Sequence, residues 1–130
     1  MNPAELFRHE KETMNLAAGD VLFRVGEEAH DMYVVIEGAL EVRVGDKVVE
    51  SASAGAMLGE MALIDDSKRT ATVVAAAPSK LVPINLRRFH FLVQQNPFFA
   101  SHVMKVMVER LRQMNQRLNA LNPVGAADQS

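Results

Sequence analysis

The stretch "LGEMALIDDSKRTATVV", from Leu58 to Val74, joins an apolar turn to a β-prone segment. Gly59 and Glu60 precede the turn, and Arg69 and Thr70 follow it. Two interpretations are open from the spacing alone. The stretch is an ordinary helix between two strands, with Glu60 and Arg69 paired on the surface, or it is a cradle for an anionic ligand.

The cradle interpretation rests on what a phosphate ester of ribose requires. Glycine at 59 lets a ligand approach the backbone closely, and a short helix over "EMALI" would direct free N–H groups at a phosphate. The Glu60 carboxylate can accept from a ribose hydroxyl, whereas Arg69 can neutralise a phosphate with paired hydrogen bonds. Thr70 can add one more hydrogen bond.

The residues around this stretch predict many short strands between Thr13 and Asn85. Strands are expected at 32–38, 39–44, 70–76 and 80–85, with a hairpin around Gly45 and Asp46. In 39–44 the alternation predicts Leu40, Val42 and Val44 on one face. Short strands at this spacing indicate a barrel or a sandwich.

Helices are predicted on both sides of the strands. The first runs from Asn2 to His9, with Pro3 in a favoured first-turn position. A second covers 86–95, and Asn96 and Pro97 begin a long helix that ends at about 121. The sequence therefore predicts a single domain over 1–121, followed by a disordered tail over 122–130.

The final helix carries a heptad seam of apolar residues. Its members are spaced 3, 4, 3, 4 and 3 apart: Met104, Met107, Leu111, Met114, Leu118 and Leu121. The seam either packs on its own barrel or pairs with a second copy. Its narrowness and length favour a homodimer, and we expect Arg110, Arg112 and Arg117 beside it to be solvated.

Composition excludes several classes of function. The 130 residues contain no cysteine, which excludes disulfides and thiol catalysis, and the net charge of -2 gives no footprint for nonspecific nucleic-acid binding. The four histidines are scattered, and no motif for a catalytic triad or a phosphate-binding Walker loop is present. We therefore expect no enzyme, no metal and no resident cofactor. The absence of a membrane-length apolar run and the polar first residues predict a cytoplasmic protein.

The segments "GEMAL", "IDDSK" and "RTA" resemble the phosphate-binding cassette of the cyclic-nucleotide-binding domain family. That family includes the catabolite activator protein, the regulatory subunits of cyclic-nucleotide-dependent kinases and cyclic-nucleotide-gated channels. Residues 17–42 are similar to the family's first strands, and the helices after Asn85 match as well. The resemblance implies a mainly β fold with flanking α-helices: a β-jelly-roll with a short N-terminal helix and two C-terminal helices.

The resemblance also implies roles for individual residues. Glu60 would bind the ribose 2′-hydroxyl and Arg69 the cyclic phosphate. Backbone groups of Gly59, Met61 and Ala62 would complete the cradle, and the hydroxyl of Thr70 would lie at the phosphate or base. Val42 and Val49 would line the pocket for the sugar and base. Arg110 and Met114 would form part of a lid over the base. Two positions depart from the pattern: Lys68 replaces a proline, which we expect to loosen the loop, and Leu58 replaces a phenylalanine.

The function implied is a sensor of a cyclic purine nucleotide that moves its C-terminal helices on binding. Cyclic AMP is favoured over cyclic GMP, although a threonine in the place of Thr70 is associated in the family with guanine recognition. The alternative is a scaffold that kept the fold and lost the ligand, and the intact Glu60 and Arg69 argue against it. Nine residues follow Leu121, too few for a helix-turn-helix, so no DNA-binding domain is expected. The downstream partner is not identified.

Overall fold

The computed structural model describes residues 3–63 and 68–121. Three helices and eight strands appear in the order α1 (Pro3–Leu6), β1 (Met14–Leu16), β2 (Val21–Phe23), β3 (Met32–Glu37), β4 (Ala39–Val44), β5 (Lys47–Ser53), β6 (Met57–Leu58), β7 (Thr72–Ala75), β8 (Ser79–Ile84), α2 (Leu86–Gln95) and α3 (Pro97–Leu121). A 3₁₀ turn over Glu60–Leu63 follows β6.

The strands form two antiparallel sheets that face each other. One has the order β1-β8-β3-β6 and the other β2-β7-β4-β5. Neighbours in each sheet are mostly distant in sequence, as in a jelly-roll, where the chain crosses repeatedly between two packed sheets. The predicted jelly-roll with a short N-terminal helix and two C-terminal helices is confirmed.

Both faces of the sheet that contains β3 are buried, which explains why β3 reads as a nearly continuous apolar run. Val35 points into the cluster between the sheets, together with Leu40, Leu58, Val73 and Leu81. Val34 points to the opposite face, where the helices add Phe7, Phe99 and Val103 to a second cluster. Side chains that alternate along one strand thereby fill two cores.

The helices are joined by aromatic contacts. Phe99 of α3 is fully buried, and its ring centroid lies 5.9 Å from that of Phe7 and 5.8 Å from that of Phe89 in α2. The side chain of Asn85 accepts from the Arg88 backbone N–H and so caps α2. The bounds predicted for α2 and α3 are confirmed, and the first two turns of α3 are fixed by the core.

Several local predictions need correction. The first helix is one turn, Pro3–Leu6, rather than the predicted 2–9. The predicted helix "EMALI" is a four-residue 3₁₀ turn. Val44 is 53% exposed instead of sharing a buried face with Leu40, because the pairing register shifts after Val42 and Val44 lies at the hairpin tip. The predicted tail lies outside the described residues.

Candidate ligand-binding site

Gly59 is required by the close approach of Arg69 to its backbone. Its φ is +72°, and a Cβ at this position would lie 2.4 Å from Arg69 Nη1. An L-residue would therefore meet both an unfavourable backbone conformation and a steric clash. The following turn begins with an Ala62 N–H that donates to the Gly59 carbonyl at 3.1 Å, and buried Leu63 anchors its end.

Arg69 is held by the barrel and is only 8% exposed. Its Nη2 donates to the carbonyl of Asp31 at 2.7 Å and its Nη1 to the carbonyl of Gly59 at 3.4 Å. The guanidinium carbon lies 4.0 Å from the centroid of the Phe23 ring and 5.8 Å from that of Tyr33. Because these hydrogen bonds go to neutral carbonyls, the charge of Arg69 remains available to an anion.

Glu60 is more deeply buried, at 3% exposure, and is bound to α3. Its Oε1 accepts a hydrogen bond from Arg110 Nη1, whereas its Oε2 has no partner. Among the described residues, the buried side-chain polar atoms without a partner are Glu60 Oε2 and Arg69 Nε. A buried polar atom left without a hydrogen bond costs about 1–3 kcal/mol, so both atoms are suited to a ligand that supplies the missing partners.

Arg110 connects α3 to two carboxylates at the mouth of the barrel. Besides Glu60 it contacts Glu50 of β5, with Nη2 3.1 Å from Oε2, and it donates to the carbonyl of Met57. Burial acts to lower the pKa of Arg110, but the hydrogen bonds and charges of Glu60 and Glu50 outweigh burial and raise it above its ordinary value. The guanidinium is therefore charged at every physiological pH.

Arg117 makes a second contact between α3 and β5. Its Nη2 donates to the carbonyl of Val49 at 2.7 Å. Val49 is the extra residue of a β-bulge, since β4 pairs Val42 with Glu50 and Arg43 with Val48. The prediction that the arginines flanking the seam are solvated is wrong for Arg110, which is partly buried against the barrel, whereas Arg112 and Arg117 are exposed and Arg112 pairs with Glu109.

The structure brings together only part of the predicted set. Gly59 and Arg69 are in contact, as are Glu60 and Arg110, and Val42 pairs across the strands with Glu50. The others lie at the margin: Ala62 is half-buried, Thr70 is exposed, Met61 and Met114 are 53% and 56% exposed, and Val49 meets α3 through its carbonyl. The surface ion pair between Glu60 and Arg69 is wrong, because both side chains are buried and bind other groups.

Four residues at this site were not identified from the sequence: Phe23, Asp31, Tyr33 and Glu50. The first three lie within residues 17–42, where the resemblance held, but nothing in the local pattern connected them with Arg69. Glu50 lies on β5, 60 residues before the arginine that binds it. Contacts at such separations become visible only when the topology is known.

Comparison with known proteins establishes the class. The profile of the family described as "Cyclic nucleotide-binding domain" matches residues 13–96, and the chain belongs to this family. A cyclic nucleotide-gated potassium channel of Rhizobium etli is 38% identical over 93 residues, which are 72% of this chain and 26% of the channel. The chain thus spans about a quarter of that relative.

Two solved structures share the fold. The catabolite activator protein of Thermus thermophilus superposes with a TM-score of 0.75 at 23% identity, over 85% of this chain and 54% of that one. A structure from work on a cyclic-GMP-dependent signalling pathway in bacterial phytopathogenesis gives 0.71 at 24% identity, over 85% and 93%. In the part of the chain that the structure describes, no helix is long and apolar enough to span a membrane.

Proposed function

We propose that this chain is a regulatory domain, not itself an enzyme, that binds a cyclic purine nucleotide reversibly through Glu60 and Arg69. One observation carries the proposal. Within residues 3–63 and 68–121, the buried side-chain polar atoms without a partner belong to Glu60 and Arg69, which the resemblance assigns to the ribose and the phosphate. The cyclic phosphate would bind the buried guanidinium and the 2′-hydroxyl would donate to Glu60 Oε2.

The alternative of a scaffold without ligand is less favourable in physical terms. Glu60 and Arg69 are 3% and 8% exposed, and burying charged groups is costly unless their partners are complete. A protein that no longer bound an anion would gain stability from apolar replacements at both positions. The retained pair therefore supports a ligand.

Coupling to the C-terminal helix is part of the proposal. A ligand shifts a conformational equilibrium only if it interacts differently with the two states. Docking of α3 buries Glu60 beneath Arg110 and leaves Oε2 without a partner, and a bound ribose would supply that partner. The nucleotide would then stabilise the docked helix.

Cyclic AMP is the favoured ligand and cyclic GMP the alternative. Thr70 follows Arg69 with an exposed side chain, in the place that the family associates with guanine recognition. Calorimetric titration of the purified chain with both nucleotides tests the function and the preference together. Saturable binding of one nucleotide with one site per chain is expected, and no heat of binding with either would contradict the proposal.

A homodimer through α3 is also proposed. Met104, Leu111, Met114 and Leu118 are between 56% and 61% exposed, whereas Met107 packs against the core. The side chain of Leu121 lies outside the described residues. An exposed apolar stripe of this length is typical of a helix that pairs with another, and the same cytoplasmic dimer would present two nucleotide sites.

Replacing Leu111 and Leu118 with glutamate should convert the dimer into a folded monomer. Both side chains are exposed, so the substitutions remove no core contact. Sedimentation at micromolar concentration measures the mass, and circular dichroism checks the fold. Unfolding of the double variant, or a wild type that sediments as a monomer, would contradict the dimer.

A further inference from the structure

We infer that Arg110 acts on the ribose through Glu60, as a positioning residue, rather than on the base of the nucleotide. The inference rests on the proposed function and deepens it. The Arg110 guanidinium is almost fully occupied by hydrogen-bond acceptors of the protein itself. Four of the five N–H donors that an arginine carries are engaged: Nε and Nη2 by Glu50, Nη2 also by the Met57 carbonyl, and Nη1 by Glu60.

The two carboxylate oxygens of Glu60 have different surroundings. Arg110 binds Oε1, and Oε2 stays buried without a partner. Burial and the charged donor at Oε1 together restrict rotation of the carboxylate, so Oε2 is held in a narrow range of directions. That oxygen is suited to the hydroxyl of a ribose, and Arg110 determines where it lies.

Glu50 fixes Arg110 from the other side. Its two oxygens face Nε and Nη2 at 3.3 and 3.1 Å, which is the paired geometry that arginine forms with a carboxylate. Glu50 lies on β5 opposite Val42, so its backbone belongs to the barrel. The chain of contacts Glu50–Arg110–Glu60 therefore joins two points of the barrel through one residue of α3.

This arrangement predicts which group of the nucleotide depends on Arg110 for its binding. If Arg110 positions Glu60, its loss should weaken the binding of a nucleotide with a 2′-hydroxyl and leave its 2′-deoxy analogue almost unaffected. If Arg110 contacts the base, both nucleotides should weaken by the same factor. The ratio of the two affinities therefore separates the mechanisms.

The experiment compares cyclic AMP with 2′-deoxy cyclic AMP on wild type and Arg110→Met, which keeps an apolar stem of similar length. Wild type should prefer the ribonucleotide by about tenfold to a hundredfold, the range of one charge-assisted hydrogen bond, and Arg110→Met should reduce this preference to about threefold or less. Arg112→Met is the matched control, because it removes the same charge from an exposed position of the same helix. It should keep the wild-type ratio.

Glu50→Gln provides a second variant that leaves Glu60 and Arg110 in place. It should lower the same ratio by a smaller factor, since Arg110 loses part of its anchor. An unchanged ratio in both Arg110→Met and Glu50→Gln, with folded proteins by circular dichroism, overturns the inference while the proposed function stands. A wild type that binds neither nucleotide overturns both.

Discussion

Glu60 and Arg69 lie nine residues apart in the sequence, but different parts of the molecule hold them. Arg69 is fixed entirely by the barrel, through the carbonyls of Asp31 and Gly59 and the rings of Phe23 and Tyr33. Glu60 is fixed by the helix that packs on the barrel, through Arg110. In the proposed site, the Arg69 end is therefore preformed by the barrel, and the Glu60 end is completed by α3.

The difference indicates how a small domain can separate its affinity for a ligand from the helix movement that the ligand causes. In the proposed site, a phosphate bound at Arg69 would meet the same geometry whether or not α3 is docked. A ribose bound at Glu60 would depend on the position of the helix. Nucleotide binding and helix docking would then be coupled mainly through the sugar, and substitutions at the two ends should differ in kind as well as in size.

The largest effect is expected for Arg69→Ala. Loss of the counter-charge from a largely dehydrated phosphate site should cost about 2–5 kcal/mol of binding free energy, enough to remove measurable binding in a calorimetric titration. Arg69→Lys should not restore it fully, because an ammonium lacks the paired donors of a guanidinium. The adjacent exposed Lys68, changed to alanine, is the control for charge alone, and an equal loss there would contradict a specific role for Arg69.

A smaller loss is expected for Glu60→Ala, since the ribose hydroxyl is neutral. A charge-assisted hydrogen bond contributes about 1.5–3 kcal/mol, so affinity should fall by tens of fold. The 2′-deoxy nucleotide should bind this variant about as well as it binds wild type. If the deoxy analogue loses as much as the ribonucleotide, Glu60 supports the whole site rather than the sugar.

Shortening α3 tests the dependence of the sugar end on the helix. A chain that ends after Glu109 lacks Arg110 but keeps Phe99 and Val103, which are buried in the core. Its affinity should fall by about tenfold, comparable with one charge-assisted hydrogen bond, and thermal melts should show a folded protein. Unchanged affinity would remove α3 from the site.

That boundary matters, because a chain ended after Gln95 would lose both core side chains. Removing a buried Phe from a core costs about 3–5 kcal/mol, and the resulting weak binding would report unfolding. The burial of Phe99 and Val103 shows that the proximal turns of α3 belong to the folded core.

The smallest effect concerns Tyr33, beside Arg69 at the barrel end. Burial raises the pKa of Tyr33, and the charge of Arg69 opposes this without reversing it. The folded state then holds the phenolic proton more tightly than the unfolded state, so wild-type stability should decrease as pH rises above about 10. Tyr33→Phe has no phenolic proton at this position. Its unfolding free energy in denaturant titrations should therefore decrease less than that of wild type as pH rises above about 10. An identical pH dependence would contradict the assignment.

The sequence was sufficient for the fold, because strands and helix starts are encoded in local patterns. Alternation predicted strands, the Asn96–Pro97 signal marked the start of α3, and the resemblance identified Glu60 and Arg69. The partners of these residues were not predictable, because Glu50 and Arg110 meet only through tertiary packing across 60 residues. The bulge at Val49 and the exposure of Val44 were missed for a related reason: strict alternation assumes an unbroken register.

The two-part attachment of α3 has a consequence for solution conditions. Its proximal turns are held by apolar burial of Phe99 and Val103, which added salt does not weaken, whereas the side-chain hydrogen bonds of its distal half to the barrel come from Arg110 and Arg117. Salt weakens a partly exposed ion pair such as Arg110 with Glu50 more than it weakens a buried one. A rise in salt would therefore loosen the distal half of the helix more than its proximal turns, and the domain's response to its ligand would vary with the ionic composition of its surroundings.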